Sequence, residues 1–199
     1  ACLGSIVPGQ TYAYPRSIDI HNGHLYASTN RGLFTLNISN GASKICPGTN
    51  RNEWRYSYTI TGSGSYLYSH YSYRMYRGTL TSSGSNLCPT SVKNYYDSSM
   101  SYGYGMTAHP TNPNELYFMS RGRNAIYKIT VNSNGTGRTI NWQKGRYGYN
   151  KQSTATQNYF YYPWGIHYDD DNDRLIVSGY SAKKIQVFDS DGVFINCLL

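Results

Sequence analysis

The chain has 199 residues and a formal net charge of +8, with 14% of its residues charged and 16% aromatic. That length builds one domain with a real core, and no apolar run of about 18 residues is present to span a membrane as a helix. The basic residues are dispersed, without a block of five or six like charges, which argues against a dedicated nucleic-acid tail.

Taken in order, the N-terminal Ala1-Cys2-Leu3-Gly4 has neither the basic nor the apolar region of a signal peptide. The expectation is a chain that never had one or is shown in mature form. Four units follow, each with a strand-and-turn rhythm. The first has strands expected at 16–20, 25–28, 32–36 and 44–46, with His21-Asn22-Gly23 and Asn40-Gly41 as turns. The second has strands at 56–60, 67–70, 74–77 and 86–88, and the third at 105–108, 116–119, 125–129 and 139–142. The fourth has strands at 165–168, 175–178, 184–188 and 193–195. Alternating β-branched and aromatic residues, with Asp/Gly turns every eight to ten residues, mark antiparallel meanders. One such sheet cannot bury both faces, so recurrence implies stacked units. The second strands begin at Leu25, Leu67, Leu116 and Leu175. The expected fold is all-β: a small β-propeller of four blades, each a four-stranded antiparallel sheet. The blades span about 11–48, 53–93, 100–143 and 160–199, with residues 1–10 completing ring closure.

The last unit carries Pro163-x-Gly165-Ile166, an acidic turn, and Lys184-Ile185-Gln186-Val187-Phe188-Asp189-x-x-Gly192-x-Phe194. In these residues it resembles an NHL repeat. The stretch 104–130, with Asn114-Glu115-Leu116-Tyr117-Phe118 and Arg123-Asn124-Ala125-Ile126-Tyr127, is similar to both NHL and the related YWTD propeller repeats. The first two units share only the rhythm. The resemblance implies a propeller, commonly of six blades, which this chain is too short to supply. A four-blade ring, or an incomplete ring finished by self-association, remains, and the first is simpler.

Four cysteines allow three pairings. Cys46 and Cys88 occupy the same place in the first two units, and Cys197 occupies it in the last. Ring closure would bring Cys2 to Cys197 as a clasp between the termini, leaving Cys46–Cys88 as a bridge between adjacent blades. No CxxC or Cys/His cluster has zinc spacing. The sequons Asn37-Ile38-Ser39 and Asn134-Gly135-Thr136 agree with a secreted, extracellular chain glycosylated at Asn37 and Asn134.

Tyr dominates the aromatics, with 23 Tyr against 5 Phe and 3 Trp. Each puts a large ring and a hydroxyl on a strand. Many precede or enter the first strand of a unit, the strand nearest a propeller axis. They would fill inter-blade space, stack on a sugar or another chain, or serve cross-linking. Tyr14, Trp54, Tyr56, Tyr104 and Trp164 are the candidates for stacking area, and Arg16, Arg55 and His167 for hydrogen bonds and charge. The expected function is an extracellular binding module for a glycan or another extracellular protein. Sulfated or carboxylated polysaccharide is the natural anionic partner, and nucleic acid is disfavoured although some NHL propellers bind RNA. The alternative is a matrix or filament subunit that self-associates through its Tyr-rich surface. Catalysis and cofactors are not expected. Relatives by resemblance include calcium- or zinc-dependent hydrolases, yet the acidic residues here cluster in hairpin turns explained by turn chemistry. The run from Asp169 to Asp173 lacks EF-hand spacing, and His167 has only Asp19 as a conceivable carboxylate partner. The irregular stretch 143–160 is expected to cover one face or contact another molecule.

Overall fold

The computed structural model describes residues 14–47, 54–81, 87–145, 160–181 and 183–198. Among the described residues sixteen strands form four separate sheets, each a meander whose spatial order follows the sequence. Blade 1 holds β1 (Pro15–His21), β2 (His24–Thr29), β3 (Gly32–Asn37) and β4 (Ser43–Ile45). Blade 2 holds β5 (Thr59–Ser63), β6 (Tyr66–Tyr71), β7 (Arg74–Leu80) and β8 (Pro89–Tyr96). Blade 3 holds β9 (Gly103–Ala108), β10 (Glu115–Ser120), β11 (Ala125–Val131) and β12 (Arg138–Gly145). Blade 4 holds β13 (Pro163–Asp169), β14 (Arg174–Gly179), β15 (Lys184–Asp189) and β16 (Phe194–Leu198). The architecture is a four-bladed β-propeller, and a 3-10 turn, Ser98–Met100, links blades 2 and 3.

Local chemistry sets the register. Asn22 and Gly23 both have positive φ, 49° and 70°, the type I′ geometry whose twist matches a two-residue hairpin. It pairs His21 with His24 and Ile18 with Ala27. Along each strand one set of side chains then faces the preceding blade and the alternate set the following one.

Those faces pack as three joints. Tyr26, Leu33, Trp54, Ile60, Leu67 and Leu80 fill the joint between blades 1 and 2. Tyr68, Met75, Met106, Leu116, Phe118 and Tyr127 fill the second, and Tyr117, Ile126, Tyr168, Leu175 and Phe188 the third. Much of the Tyr is therefore core. Tyr117 and Tyr168, stacked at 5.1 Å, form the centre of the third joint. At the axis the first joint is also hydrogen bonded. Ile60 N donates to Ser17 Oγ (3.0 Å), Gly62 N donates to Asp19 Oδ2 (2.6 Å), and His21 Nε2 pairs with Gly64 O (2.8 Å). Gly62 is required here, because a Cβ would lie 2.1 Å from His21 Cγ.

The inner strands follow one another round the axis, β1 beside β5, β5 beside β9 and β9 beside β13. Among the described residues, β13 makes no comparable packing with β1. The observed disulfide is Cys46–Cys88, with a Cα–Cα distance of 5.4 Å. It joins adjacent blades rather than the termini. Cys2 lies outside the described residues, and Cys197, half-buried on β16, carries a free thiol.

Two strands depart from expectation. The first strand of blade 2 begins at Thr59 rather than residue 56, because Tyr56 adopts a left-handed φ of 66° that a strand cannot hold. Its fourth strand is Pro89–Tyr96 rather than 86–88. Proline lacks an N–H, so it is accommodated as the first residue of this outer edge strand.

Candidate ligand site at the channel mouth

The four inner strands run the same way along a central channel. One chamber, of about 320 Å³, lies between the starts of the strands and is lined by Arg16, Tyr58, Tyr104 and Ile166 among others. A second, of about 350 Å³, lies between their far ends and is lined by His21, Thr61, His109 and Asp170. Asp19 and His167 border both.

At the first end a continuous ladder of rings and guanidinium groups crosses all four blades. Arg55 Cζ lies 4.6 Å from the Tyr56 ring centre, and its Nη2 donates to Tyr56 Oη at 2.6 Å. Arg16 follows, 5.3 Å from Tyr56 and 5.1 Å from Tyr58. Tyr58 stacks on Tyr104 at 4.7 Å, Tyr104 meets Trp164 at 5.0 Å, and Trp164 meets Tyr180 at 5.7 Å. Arg121, from the turn between β10 and β11, is boxed by Tyr104 (5.0 Å), Tyr162 (4.8 Å) and Trp164 (5.3 Å).

The repeat explains this arrangement. Arg16, Tyr58, Tyr104 and Trp164 stand at or just before the start of their inner strands, and a Tyr precedes each by two residues: Tyr14, Tyr56, Tyr102 and Tyr162. Three of these four tyrosines hold positive φ, 66°, 49° and 49°. A bulky residue there costs about 1–2 kcal/mol; Arg16 and Arg55 lie against the Tyr56 ring, Arg121 against the Tyr162 ring and Tyr73 against the Tyr102 ring.

The charge of this ladder is not neutralised internally. Among the described residues no carboxylate lies within 4 Å of Arg16, Arg55 or Arg121. Nε of Arg55 and of Arg121 is buried without a hydrogen-bond partner. Most carboxylates lie elsewhere: Glu115, the aspartates between 169 and 173, Asp189 and Asp191 are on hairpins at the far end. A cation against ring faces contributes about 0.5–2 kcal/mol and leaves its N–H groups free to donate. The mouth therefore sets exposed rings beside guanidinium groups that have no carboxylate partner among the described residues.

Of the residues expected to form a site, Arg16, Arg55, Tyr56, Tyr104 and Trp164 come together in this ladder. Trp54 does not. It is 1% exposed in the first joint, against Gly78 and the Cys46–Cys88 bridge, and is a packing residue. Tyr14 is exposed beyond the ladder, its backbone N donating to Asn30 Oδ1 at 2.9 Å. His167 lies deeper, on the channel wall. Asp19, its conceivable partner, is bound to the Gly62 amide, and burial raises its pKa above the usual carboxylate value. Tyr58 and Tyr162, which stand among the tyrosines expected before or within a first strand, also belong to the ladder, and so do Arg121 and Tyr180, which the chain did not single out as site residues. The signal for Tyr58 and Tyr162 was the Tyr-x-aromatic triplet that recurs at the start of blades 2, 3 and 4. Arg121 lies on a hairpin turn that no repeat pattern ties to the mouth. Among the described residues no group of three or more His, Cys, Asp or Glu side chains converges as metal ligands.

Of the two sequon residues, Asn37 has its Nδ2 3.3 Å from His24 Nε2, while Asn134 is exposed on the turn between β11 and β12. Most of the irregular stretch 143–160 lies outside the described residues.

No protein-family model matches the chain, and no curated protein matches it. Solved structures do. The β-propeller domain of Swd1 from Myceliophteria thermophila superposes with a TM-score of 0.60 at 11% identity, over 94% of this chain and 57% of that one. The fold is a propeller's. A functionally unknown protein from Desulfotomaculum acetoxidans gives a TM-score of 0.64 at 14% identity, over 94% and 57%. A nidogen/laminin complex gives 0.54 at 12% identity, over 94% and 81%. The chain spans about half the length of several of the structures it matches.

Proposed function

We propose that this propeller is an extracellular binding module that takes a glycan on the aromatic and basic mouth of its channel. The observation that carries the reading is the ladder from Arg55 to Tyr180, in which ring faces alternate with guanidinium groups lacking a carboxylate partner. Sugar rings stack their C–H faces on aromatic rings, and carboxylate or sulfate groups accept from guanidinium N–H groups. A sulfated or carboxylated polysaccharide combines both demands. An interblade disulfide suits an oxidising, secretory setting, and an exposed sequon at Asn134 suits it too. The resemblance of the last blade to an NHL repeat supports reading the module as an NHL/YWTD-type propeller.

The second reading is another extracellular protein as ligand, since Tyr, Trp and Arg are also the residues that dominate protein interfaces. Nidogen, one of the fold neighbours, is seen in complex with laminin. The test is tryptophan fluorescence during titration with sulfated, carboxylated and neutral oligosaccharides. Trp164 is 48% exposed whereas Trp54 is buried, so a ligand at the mouth changes the signal of Trp164. Saturable binding of an acidic oligosaccharide, weakened about tenfold or more by Trp164→Ala when read by titration calorimetry, is the expected result. No response to any saccharide would remove the glycan reading.

A further inference from the structure

The four blades leave two end faces, and each carries the residues that elsewhere make a joint. Ile18 pairs with Ala27, and the positions equivalent to Ile18 in the later blades are Ile60, Met106 and Ile166, paired with Ser69, Phe118 and Val177. Each of these three packs against the blade before it. Ile60 is 3% exposed and Met106 6%, but Ile18, which packs against no other blade among the described residues, is 62% exposed, and Ile20 on the same face is 66% exposed.

The other end repeats the pattern in reverse. Leu33, Met75 and Ile126 are equivalent residues of β3, β7 and β11, each facing the following blade and each fully buried. Their counterpart in blade 4 is Ile185, paired with Ser178, and it is 40% exposed. Ile176, at the position of the buried Tyr26, Tyr68 and Tyr117, is only half-buried. Since β13 does not pack on β1 as the other inner strands pack on each other, the two faces do not cover one another.

We infer that a second copy of this chain docks on these faces, blade 4 of each copy against blade 1 of the other. Both halves of a blade-to-blade joint are present on one chain, so a head-to-tail contact repeats the packing of the three joints already described. Two such contacts related by a two-fold axis close a ring and leave no face open. Several of the propellers that this chain matches are about twice its length, so a ring of two copies reaches their size. The proposal stands apart from the glycan reading, since it uses none of the rings or arginines of the ladder, although Ile18 also borders the first chamber.

The test is sedimentation velocity of the full chain over a wide concentration range, with circular dichroism to confirm folding. The expected species has twice the 22.5 kDa chain mass. Ile18→Asp and Ile185→Asp each place a charge in both joints of the ring and are expected to weaken association at least about tenfold. Mixing the two variants restores one joint, between the unmodified blade 4 of one and the unmodified blade 1 of the other, so the mixture associates more tightly than either alone. A chain that stays monomeric throughout, or single variants that associate like the parent, would overturn the inference. So would association seen only after residues 1–13 are deleted, which would place the cover in the same chain. Species that keep growing with concentration would overturn the two-copy ring.

Discussion

Acid should weaken this fold through one side chain, His70 on β6. It is completely buried, 4.8 Å from the Phe118 ring, and neither ring nitrogen has a hydrogen-bond partner. Burial lowers its pKa from 6.5 to about 3, opposed only in part by the nearby backbone of Gly103 and Met100 and the charge of Asp97. Above pH 6.5 the imidazole is neutral in both the folded and unfolded chain and costs nothing. Between 6.5 and about 3 the unfolded chain takes up a proton that the folded chain refuses, so stability falls with pH. Each pH unit across that window costs about 1.4 kcal/mol, or about 2 kcal/mol by pH 5. Urea unfolding at pH 7 and pH 5 reads the difference, and His70→Leu supplies the reference because leucine cannot titrate. The parent is expected to lose about 2 kcal/mol more than the variant over that interval. Equal losses would refute the reasoning, since they would mean that His70 takes a proton in the folded state.

Other expectations concern the joints and the mouth. Cys46→Ser with Cys88→Ser opens a cross-link spanning 42 residues and should cost about 4 kcal/mol by chain entropy, measured by urea unfolding of the parent and the double variant without reductant. Gly62→Ala forces a methyl into the His21 ring and should destabilise by about 1–3 kcal/mol, seen as a lowered Tm. Arg121→Gln removes the boxed charge at the mouth and should flatten the salt dependence of acidic-oligosaccharide binding while leaving Tm within a few degrees. In a secreted preparation, peptide mass mapping should find more sugar on Asn134 than on Asn37, whose amide nitrogen faces His24.

The blade architecture was readable because the unit repeats. Leu25, Leu67, Leu116 and Leu175 each follow the first residue of the second strand, and the turn residues between strands fixed their direction. The Cys46–Cys88 bridge followed from the same spacing. What composition could not say was which aromatic faces inward. Trp54 and Tyr56 are two residues apart, yet the first is core and the second belongs to the mouth. The difference lies in a left-handed turn at Tyr56 and in Gly78, which leaves room for the Trp54 ring. Arg121 was equally hidden. Its role depends on blade 3 presenting a turn to rings supplied by residues 104, 162 and 164, a three-dimensional coincidence with no local signature.

The bridge between blades 1 and 2 also shapes how the chain would respond to pulling. A load applied at its two ends would draw out blades 3 and 4, joined by stacked rings rather than a covalent bond, while the segment between Cys46 and Cys88 would be bypassed by the sulfur–sulfur link. With a separation of 42 residues and about 3.5 Å per residue, about 150 Å of contour length would stay stored until the bond is reduced. In a tethered extracellular setting strands β5 to β7 would then be a reserve of extension released by a thiol rather than by force.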